Sequence, residues 1–435
     1  MLRPTTSWQN WAGNQRCVPD QVASPTSAAE VASTVAAART AGLTVKPVGS
    51  GHSFTSAAVT DGVQIELSRL DSPPIIDRRR RLVTVSGGIV LRDLNRLLAE
   101  HGLALPNLGD IDAQTVAGAL ATGTHGTGAR YGCLATFATA LELVTADGTV
   151  LRCSPDERPD VFAAARVGVG ALGIVTQVTL RCVDAFVLRA QEGPAPLDHT
   201  LSNVEEYAAD NEHFEFYWMP YTERTLVKRN NRVDEDAAPM SRLKTWWEHD
   251  FLQNTAFGAV VRTGRAMPAL AKPLLRTTAR LFSAVSYTAR SDRVFVTPRR
   301  VRFVEMEYAV PRAALPEAFA GLRRIVDRLP FEVLFPVEVR VTAADDIWLS
   351  HGYGRDSAYI AIHQYVGMPY EPYFRAFEKV CAELDGRPHW GKLHWRDAGS
   401  LAPAYPRFAD FLAVRDKLDP DRVFANAYTR RILGD

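Results

Sequence analysis

The chain has 435 residues, 46% apolar and 23% charged, enough to bury a sizeable core in about two to three domains at roughly 150 residues each. Its 50 Lys and Arg against 49 Asp and Glu give a net charge of +1, which excludes a globally basic nucleic-acid binder. The five cysteines form no CxxC pair, no apolar run reaches the ~18 residues of a spanning helix, and Met1 to Thr5 lack a signal-peptide core, so a reduced, cytoplasmic protein without a structural metal is expected.

In chain order, Ala28 to Ala41 predicts an amphipathic helix, with Ser27 as N-cap and Gly42 past its end. Thr44 to Val48, Val63 to Leu67 and Leu82 to Ser86 predict strands, and Leu91 to His101 a second helix closed by Gly102. The run Arg78 to Arg81, flanked by Asp77 and without interleaved aromatics, reads as a solvated turn rather than a nucleic-acid patch. Leu141 to Val144 and Thr149 to Cys153 form a hairpin about Ala146-Asp147-Gly148, followed by a strand from Ile174 to Arg181. Beyond Val183 the strands lengthen and alternate, as in Phe214 to Trp218, Phe303 to Val310, Val337 to Val341 and Tyr359 to Tyr365. Alternation of that length predicts an antiparallel sheet with two unlike faces, and a boundary near residue 185. Between these strands Arg262 to Arg300 carries nine basic residues and one acidic, Asp292, and reads as a solvated helical excursion in preference to a membrane or partner contact. Helices from Tyr370 to Leu384 and Phe408 to Leu418 complete the reading.

Three segments are punctuated by glycine. Gly168-Val-Gly-Ala-Leu-Gly173 spells GxGxxG, but a helix precedes it and a strand follows, the reverse of a dinucleotide fingerprint. Val48-Gly49-Ser50-Gly51-His52-Ser53 follows a strand and offers successive backbone N–H groups, a nest able to cradle a pyrophosphate. No Gly-Lys-Ser/Thr follows, so it is not a P-loop. Asp110, Thr115, Gly118 and Thr122-Gly123-Thr124-His125-Gly126 form a second loop of small and hydroxyl residues. Each alone could be an ordinary turn; together they predict a long phosphate-bearing cofactor.

These loops, with Gly170 to Gly173, Glu338-Val339-Arg340, His389-Trp390-Gly391-Lys392 and the ending Leu418 to Phe424, stand in an order that resembles the aldonolactone oxidoreductase branch of the vanillyl-alcohol-oxidase-type FAD flavoproteins. The resemblance runs the whole length. It implies an α+β chain: a two-subdomain α/β FAD-binding domain over 1–185, a cap with an antiparallel sheet flanked by helices over 186–385, and a tail, 386–435, that returns to the first domain. It places Val48 to Ser53, Gly109, Asp110, Thr115, Gly118, Thr122, Gly123, His125, Gly126, Gly173, Ile174, Val175, His389 and Lys392 at FAD. At His52 it implies a covalent 8α-histidyl bond, against the alternative of an imidazole that only hydrogen-bonds within its loop.

For chemistry the resemblance implies oxidation of the C2 hydroxyl of a sugar 1,4-lactone, with the related alditol or xylitol oxidases as the alternative. Glu338 and Arg340, two apart on a strand, share a face and can accept from and donate to a substrate. Lys392 brings a second cation, expected to have a lowered pKa beside Arg340 and to act as a base or an electrostatic stabiliser. His363 resembles a substrate-pocket histidine, though a core histidine is an equal reading. Oxygen or another electron acceptor would reoxidise the cofactor, with Ala117 or Gly123 as the small residue controlling oxygen access.

Overall fold

The structure is a computed structural model that describes residues 2–3 and 7–435. Helix Ala28–Thr40 starts where Ser27 accepts from the Glu30 N–H, and buries Val31, Val35 and Ala38. These pack on a four-stranded sheet ordered Leu2–Arg3, Gln21–Ala23, Val63–Glu66, Val45–Val48, whose last three strands run parallel. A five-stranded antiparallel sheet follows, ordered Val150–Cys153, Ala138–Val144, Ile174–Arg181, Leu82–Ser86, Ile75–Asp77. It holds the expected hairpin, and the GxGxxG turn feeds Ile174–Arg181 from helix Pro159–Ala165 in the order the sequence indicates.

The third sheet has eight strands, all pairs antiparallel: Val285–Arg290, Val187–Pro196, Arg224–Val233, His213–Trp218, Val337–Thr342, Ser357–Tyr365, Phe303–Pro311 and Arg387–Pro388. Its two faces differ, as the alternation predicts. Met306, Tyr308, Val337, Val339, Val341, Ile360 and Ile362 share one core with Phe319 and Leu322 of helix Leu315–Arg328 and with Phe374 and Phe377 of helix Glu371–Glu383. The opposite face carries Glu215, Tyr217, Glu305, Glu307, Glu338, Arg340 and His363, and it too is covered, because the glycine-loop side of the molecule lies against it.

The tail returns for a definite reason. Val45 N–H donates to Val423 O (2.7 Å), while the Asp419 carboxylate accepts from the N–H groups of Val423 (2.7 Å) and Phe424 (2.8 Å). Phe424 then enters the core beneath helix Ala28–Thr40. One expectation needs correcting. Arg262 to Arg300 is not wholly a solvated excursion: helices Phe257–Ala266 and Ala271–Arg280 are followed by Val285–Arg290, an edge strand of the eight-stranded sheet, and Arg299 turns inward. A π-helical segment, Trp246–Ala256, precedes them and has no clear sequence signature. Among the described residues no helix is long and apolar enough to cross a membrane.

Candidate active site

A cleft open to solvent runs between the two smaller sheets. Of the residues expected at FAD, Val48, Gly49, Ser50, Gly51, His52, Ser53, Thr115, Gly118, Thr122, Gly173 and Val175 line it, together with Ala117 and Lys46. The backbone N–H groups of Gly49 to Ser53 find no acceptor among the described residues, leaving a row of donors along this wall. The loop lies so close to its neighbour that a Cβ on Gly49 would stand 2.3 Å from Thr115 Oγ1. Lys46 sits below, its ammonium donating to Gly170 O and Phe424 O (3.0 Å each), and burial lowers its pKa to about 7.

A second cleft continues from the first, sharing His52, Ser53, Gln114 and Thr122. Gly109, Asp110, His125, His389, Arg340 and Lys392 line it, with Trp11, Phe54 and Glu307. His52 thus stands at the junction, its ring stacked on Trp11 at 5.7 Å between centroids. Burial first, and the charge of Lys392 second, lower the His52 pKa, with no hydrogen bond contributing. The imidazole is therefore neutral at physiological pH, with a lone pair free. Three expected cofactor residues line neither cleft. Gly123, at φ +71°, faces the His351 ring, where a Cβ would be 2.6 Å from Cε1; Gly126 packs against Leu108 O and Asn107; Ile174 is fully buried in the core.

The charged wall is assembled by strand register. Glu215 lies opposite Arg340, Tyr217 opposite Glu338, and Glu305 opposite His363. Arg340 donates through Nε to Glu215 (2.9 Å) and through Nη2 to Glu338 (2.6 Å), with Asp110 at 3.5 Å. Arg299 holds Asp110 at 2.7 Å, and the Tyr217 hydroxyl donates to Glu338. Lys228 stands 3.5 Å from both Glu192 and Glu215. Burial would raise the Asp110 pKa, but Arg299, Arg340 and Lys392 carry it far below the usual carboxylate range. Glu338 goes the other way: burial, Asp110 and Glu215 outweigh Arg340 and push it up to about 7.

Of the expected catalytic residues, Arg340 and Lys392 face the second cleft, whereas Glu338 and His363 stand one contact behind them. His363 reaches Glu305 through Nε2 (3.5 Å) and Pro336 O through Nδ1 (3.0 Å), and Glu305 in turn holds the Lys392 ammonium. The expectation of a lowered Lys392 pKa is overturned. Burial alone would lower it, but Glu305 and Glu307 more than reverse this, so the pKa is raised and the group stays charged. His125 meets Glu307 at 3.2 Å; with His389 their ligand atoms lie within 4.8 Å of one another, a buried cluster the sequence reading did not assemble. It also missed Glu215, Tyr217, Lys228, Arg299, Glu305 and Glu307. The available signal was two carboxylates, Glu305 and Glu307, embedded in the otherwise apolar strand Phe303–Pro311.

The fold is shared with cholesterol oxidase from B. sterolicum, at TM-score 0.85 and 18% identity, covering 100% of this chain and 97% of that one. Residues 19–154 match the FAD binding domain family, and the donor-lined cleft with its neutral histidine fits that cofactor. Together they define an FAD-binding flavoprotein fold. Residues 178–432 match the D-arabinono-1,4-lactone oxidase family. The chain is 45% identical over 427 residues to L-gulono-1,4-lactone dehydrogenase of Mycobacterium tuberculosis (strain CDC 1551 / Oshkosh), covering 98% of this chain and 99% of that one. It is 36% identical over 433 residues to L-gulonolactone oxidase of Mus musculus, covering 98% of each. The chain belongs to the D-arabinono-1,4-lactone oxidase family.

Proposed function

We propose that the enzyme oxidises the C2 hydroxyl of a sugar 1,4-lactone, L-gulono-1,4-lactone or a close analogue, to the 2-keto product that enolises to ascorbate or its analogue. The observation that carries this reading is the second cleft, where two buried cations, Arg340 and Lys392, face a space continuous with the cofactor cleft. FAD, when bound, supplies the two-electron acceptor for the hydride leaving carbon. On this reading residues 1–185 bind FAD, residues 186–385 form the cap, and residues 386–435 return to the first part.

The chain's own groups do the rest. Arg340 and Lys392 donate to the substrate oxygens and stabilise negative charge as it develops. Glu338, fixed by Arg340 and Tyr217, stands behind the guanidinium and positions it, with a pKa near neutrality. Lys392, kept charged by Glu305, is an electrostatic stabiliser rather than a base. His363 orients Glu305 from behind. His52, neutral and at the junction of the clefts, would hold FAD through a covalent bond to its 8α-carbon. Flavin that stays with the protein through acid precipitation in the wild type and separates from His52→Ala supports the bond; full release from the wild type contradicts it. Oxygen or another electron acceptor reoxidises the enzyme, and stopped-flow mixing of the reduced enzyme with oxygen distinguishes an oxidase from a dehydrogenase. Flavin bleaching by L-gulono-1,4-lactone faster than by xylitol supports the lactone; the reverse order assigns a polyol substrate.

A further inference from the structure

The second cleft holds two cations for a developing oxyanion, but the hydroxyl proton must also be taken up, and most groups there have no lone pair to offer. Arg340 and Lys392 stay charged. Asp110 lines the cleft, yet both its oxygens face guanidinium groups: Arg299 donates twice to Oδ2 (2.7 and 3.1 Å), and Arg340 stands 3.5 Å from Oδ1. At His389, Nδ1 accepts from the Gly391 N–H (3.0 Å). Burial first, then His351 and Lys392, hold its pKa well below the ordinary value, so the other nitrogen carries the ring's one proton. Neither nitrogen of His389 is then free for a proton or for a metal ion. The lone pair of His52 is the one committed to the flavin.

Glu307 is different. It projects from strand Phe303–Pro311, is buried, and lines the second cleft with Lys392 and Arg340. Its Oε1 meets His125 Nε2 at 3.2 Å, while Oε2 has no hydrogen-bond partner among the described residues. His125 is fixed in turn: Nδ1 stands 2.8 Å from Gly126 O, which can only accept, so Nδ1 carries a proton and Nε2 is the atom turned to Glu307. The Tyr359 ring packs on the imidazole at 3.7 Å between centroids. Burial and Glu305 would raise the Glu307 pKa, but His125 and Lys392 hold it below the ordinary value, so the carboxylate stays ionised. A weak base is sufficient here. As hydride leaves the carbon, the hydroxyl takes on the character of a protonated ketone, a far stronger acid than an alcohol.

We propose that Glu307 is the catalytic proton acceptor, with His125 as the positioning residue that holds its carboxylate. This rests on the reading of the reaction as oxidation of a substrate alcohol. As the C2–H bond breaks and its electron pair leaves as hydride, the O–H bond breaks, its electron pair forms the C=O bond, and the proton passes to Oε2 of Glu307. Two electrons and one hydrogen reach the cofactor, one proton reaches Glu307, and the substrate carbon becomes a ketone. Arg340 and Lys392 stabilise the oxygen through the transfer without accepting its proton.

The test is anaerobic stopped-flow reduction of the flavin-loaded enzyme by L-gulono-1,4-lactone in the wild type, Glu307→Gln, Glu307→Ala and His125→Asn. Glu307→Gln should be reduced on the order of 10²- to 10³-fold more slowly at saturating lactone, with half-saturation and flavin content within about twofold of the wild type. From about pH 8 to 10 the wild-type rate should be flat, whereas that of Glu307→Gln should climb about tenfold per pH unit as hydroxide replaces the lost acceptor. Added formate should speed Glu307→Ala at least about tenfold by supplying a carboxylate in the vacated space. His125→Asn should be slowed only severalfold and keep the flat profile. Wild-type rates in Glu307→Gln overturn the proposal. Slow Glu307 variants with a flat profile and no formate rescue overturn it too, because they make the residue merely structural. A hydroxide-dependent climb in His125→Asn gives the proton to the imidazole instead. A wild type bleached by neither lactone nor xylitol fails the alcohol-oxidation reading and the proposal with it, whereas a bleached wild type beside an equally fast Glu307→Gln fails the proposal alone.

Discussion

The two sides of the site are made of different materials. On the glycine-loop side the cleft wall is backbone N–H groups, hydroxyls and glycine, held at close quarters by contacts such as Gly49 against Thr115. On the cap side it is long charged side chains projecting from an eight-stranded sheet and balanced against one another: Arg340 against Glu215 and Glu338, Arg299 against Asp110, Lys392 against Glu305. The first side presents mainly shape and fixed dipoles, with few long side chains to misplace. The second places net charge where a reaction develops it, and works only while every buried charge keeps its partner. Damage to the two sides should therefore look different: loss of cofactor on one, loss of rate and shifted pH dependence on the other.

The largest effect is expected at Arg340. Arg340→Met leaves Glu215, Glu338 and Asp110 short of a counter-charge and removes a donor from the cleft. It should lower kcat/KM on the order of 10³-fold and cost roughly 3–5 kcal/mol of stability, with flavin content little changed. Steady-state kinetics, denaturant melts and flavin-to-protein absorbance ratios check this, and a variant that chiefly loses flavin would erase the distinction between the sides. The mirror-image change is Gly49→Ala, whose new methyl would collide with Thr115 Oγ1 at 2.3 Å. Flavin occupancy should fall severalfold while the molecules that retain flavin react at near the normal rate. Thr115→Ala in the same chain should restore much of the occupancy, at about 1 kcal/mol for the lost cap of helix Val116–Ala121.

Those two sides also differ in how far the sequence discloses them. The loop Val48 to Ser53 and the segment Thr115 to Thr122 are contiguous, so the glycines and hydroxyls of this cleft wall are legible before any fold is known. The returning tail is similarly readable in Leu418 to Phe424, because Asp419 caps its own neighbours. The charged wall is hidden because its pairs join distant strands: Glu215 meets Arg340 and Glu305 meets His363 only through pairing register, which alternation within one strand does not specify. Glu338 and Arg340 were visible as a same-face pair, but not that Arg340 would face the cleft and Glu338 stand behind it. The sign of the Lys392 shift was misjudged for the same reason, since its partner Glu305 lies 87 residues away. Gly123, Gly126 and Ile174, expected at the cofactor, line neither cleft and pack against His351, Asn107 and the core.

A smaller effect is expected in pH dependence. Glu338 titrates near 7, so activity should fall below about pH 7 as it protonates, and Glu338→Gln should remove that limb from the kcat/KM profile. Its linkage to stability has the opposite sign from a salt-bridged carboxylate. Between the ordinary carboxylate range and about 7 the folded state keeps a proton that the unfolded state has lost, so this group's contribution declines as pH rises through that window. Melts across it should be flatter for Glu338→Gln than for the wild type. The smallest effect separates the two residues proposed to govern oxygen access. Ala117 lines the cofactor cleft and Gly123 does not. Ala117→Gly should change the rate of reoxidation by oxygen, while Gly123→Ala should leave it unchanged and cost about 1–3 kcal/mol through its left-handed backbone and the His351 ring.

The most direct test of the central claim is anaerobic mixing of the purified, flavin-loaded enzyme with L-gulono-1,4-lactone, following the visible flavin absorption in the wild type and in Arg340→Met. The account predicts rapid bleaching of the wild type and bleaching slowed on the order of 10³-fold in a variant that still holds its flavin. An oxidised wild-type spectrum that persists under lactone, or equal rates in the two proteins, would contradict it.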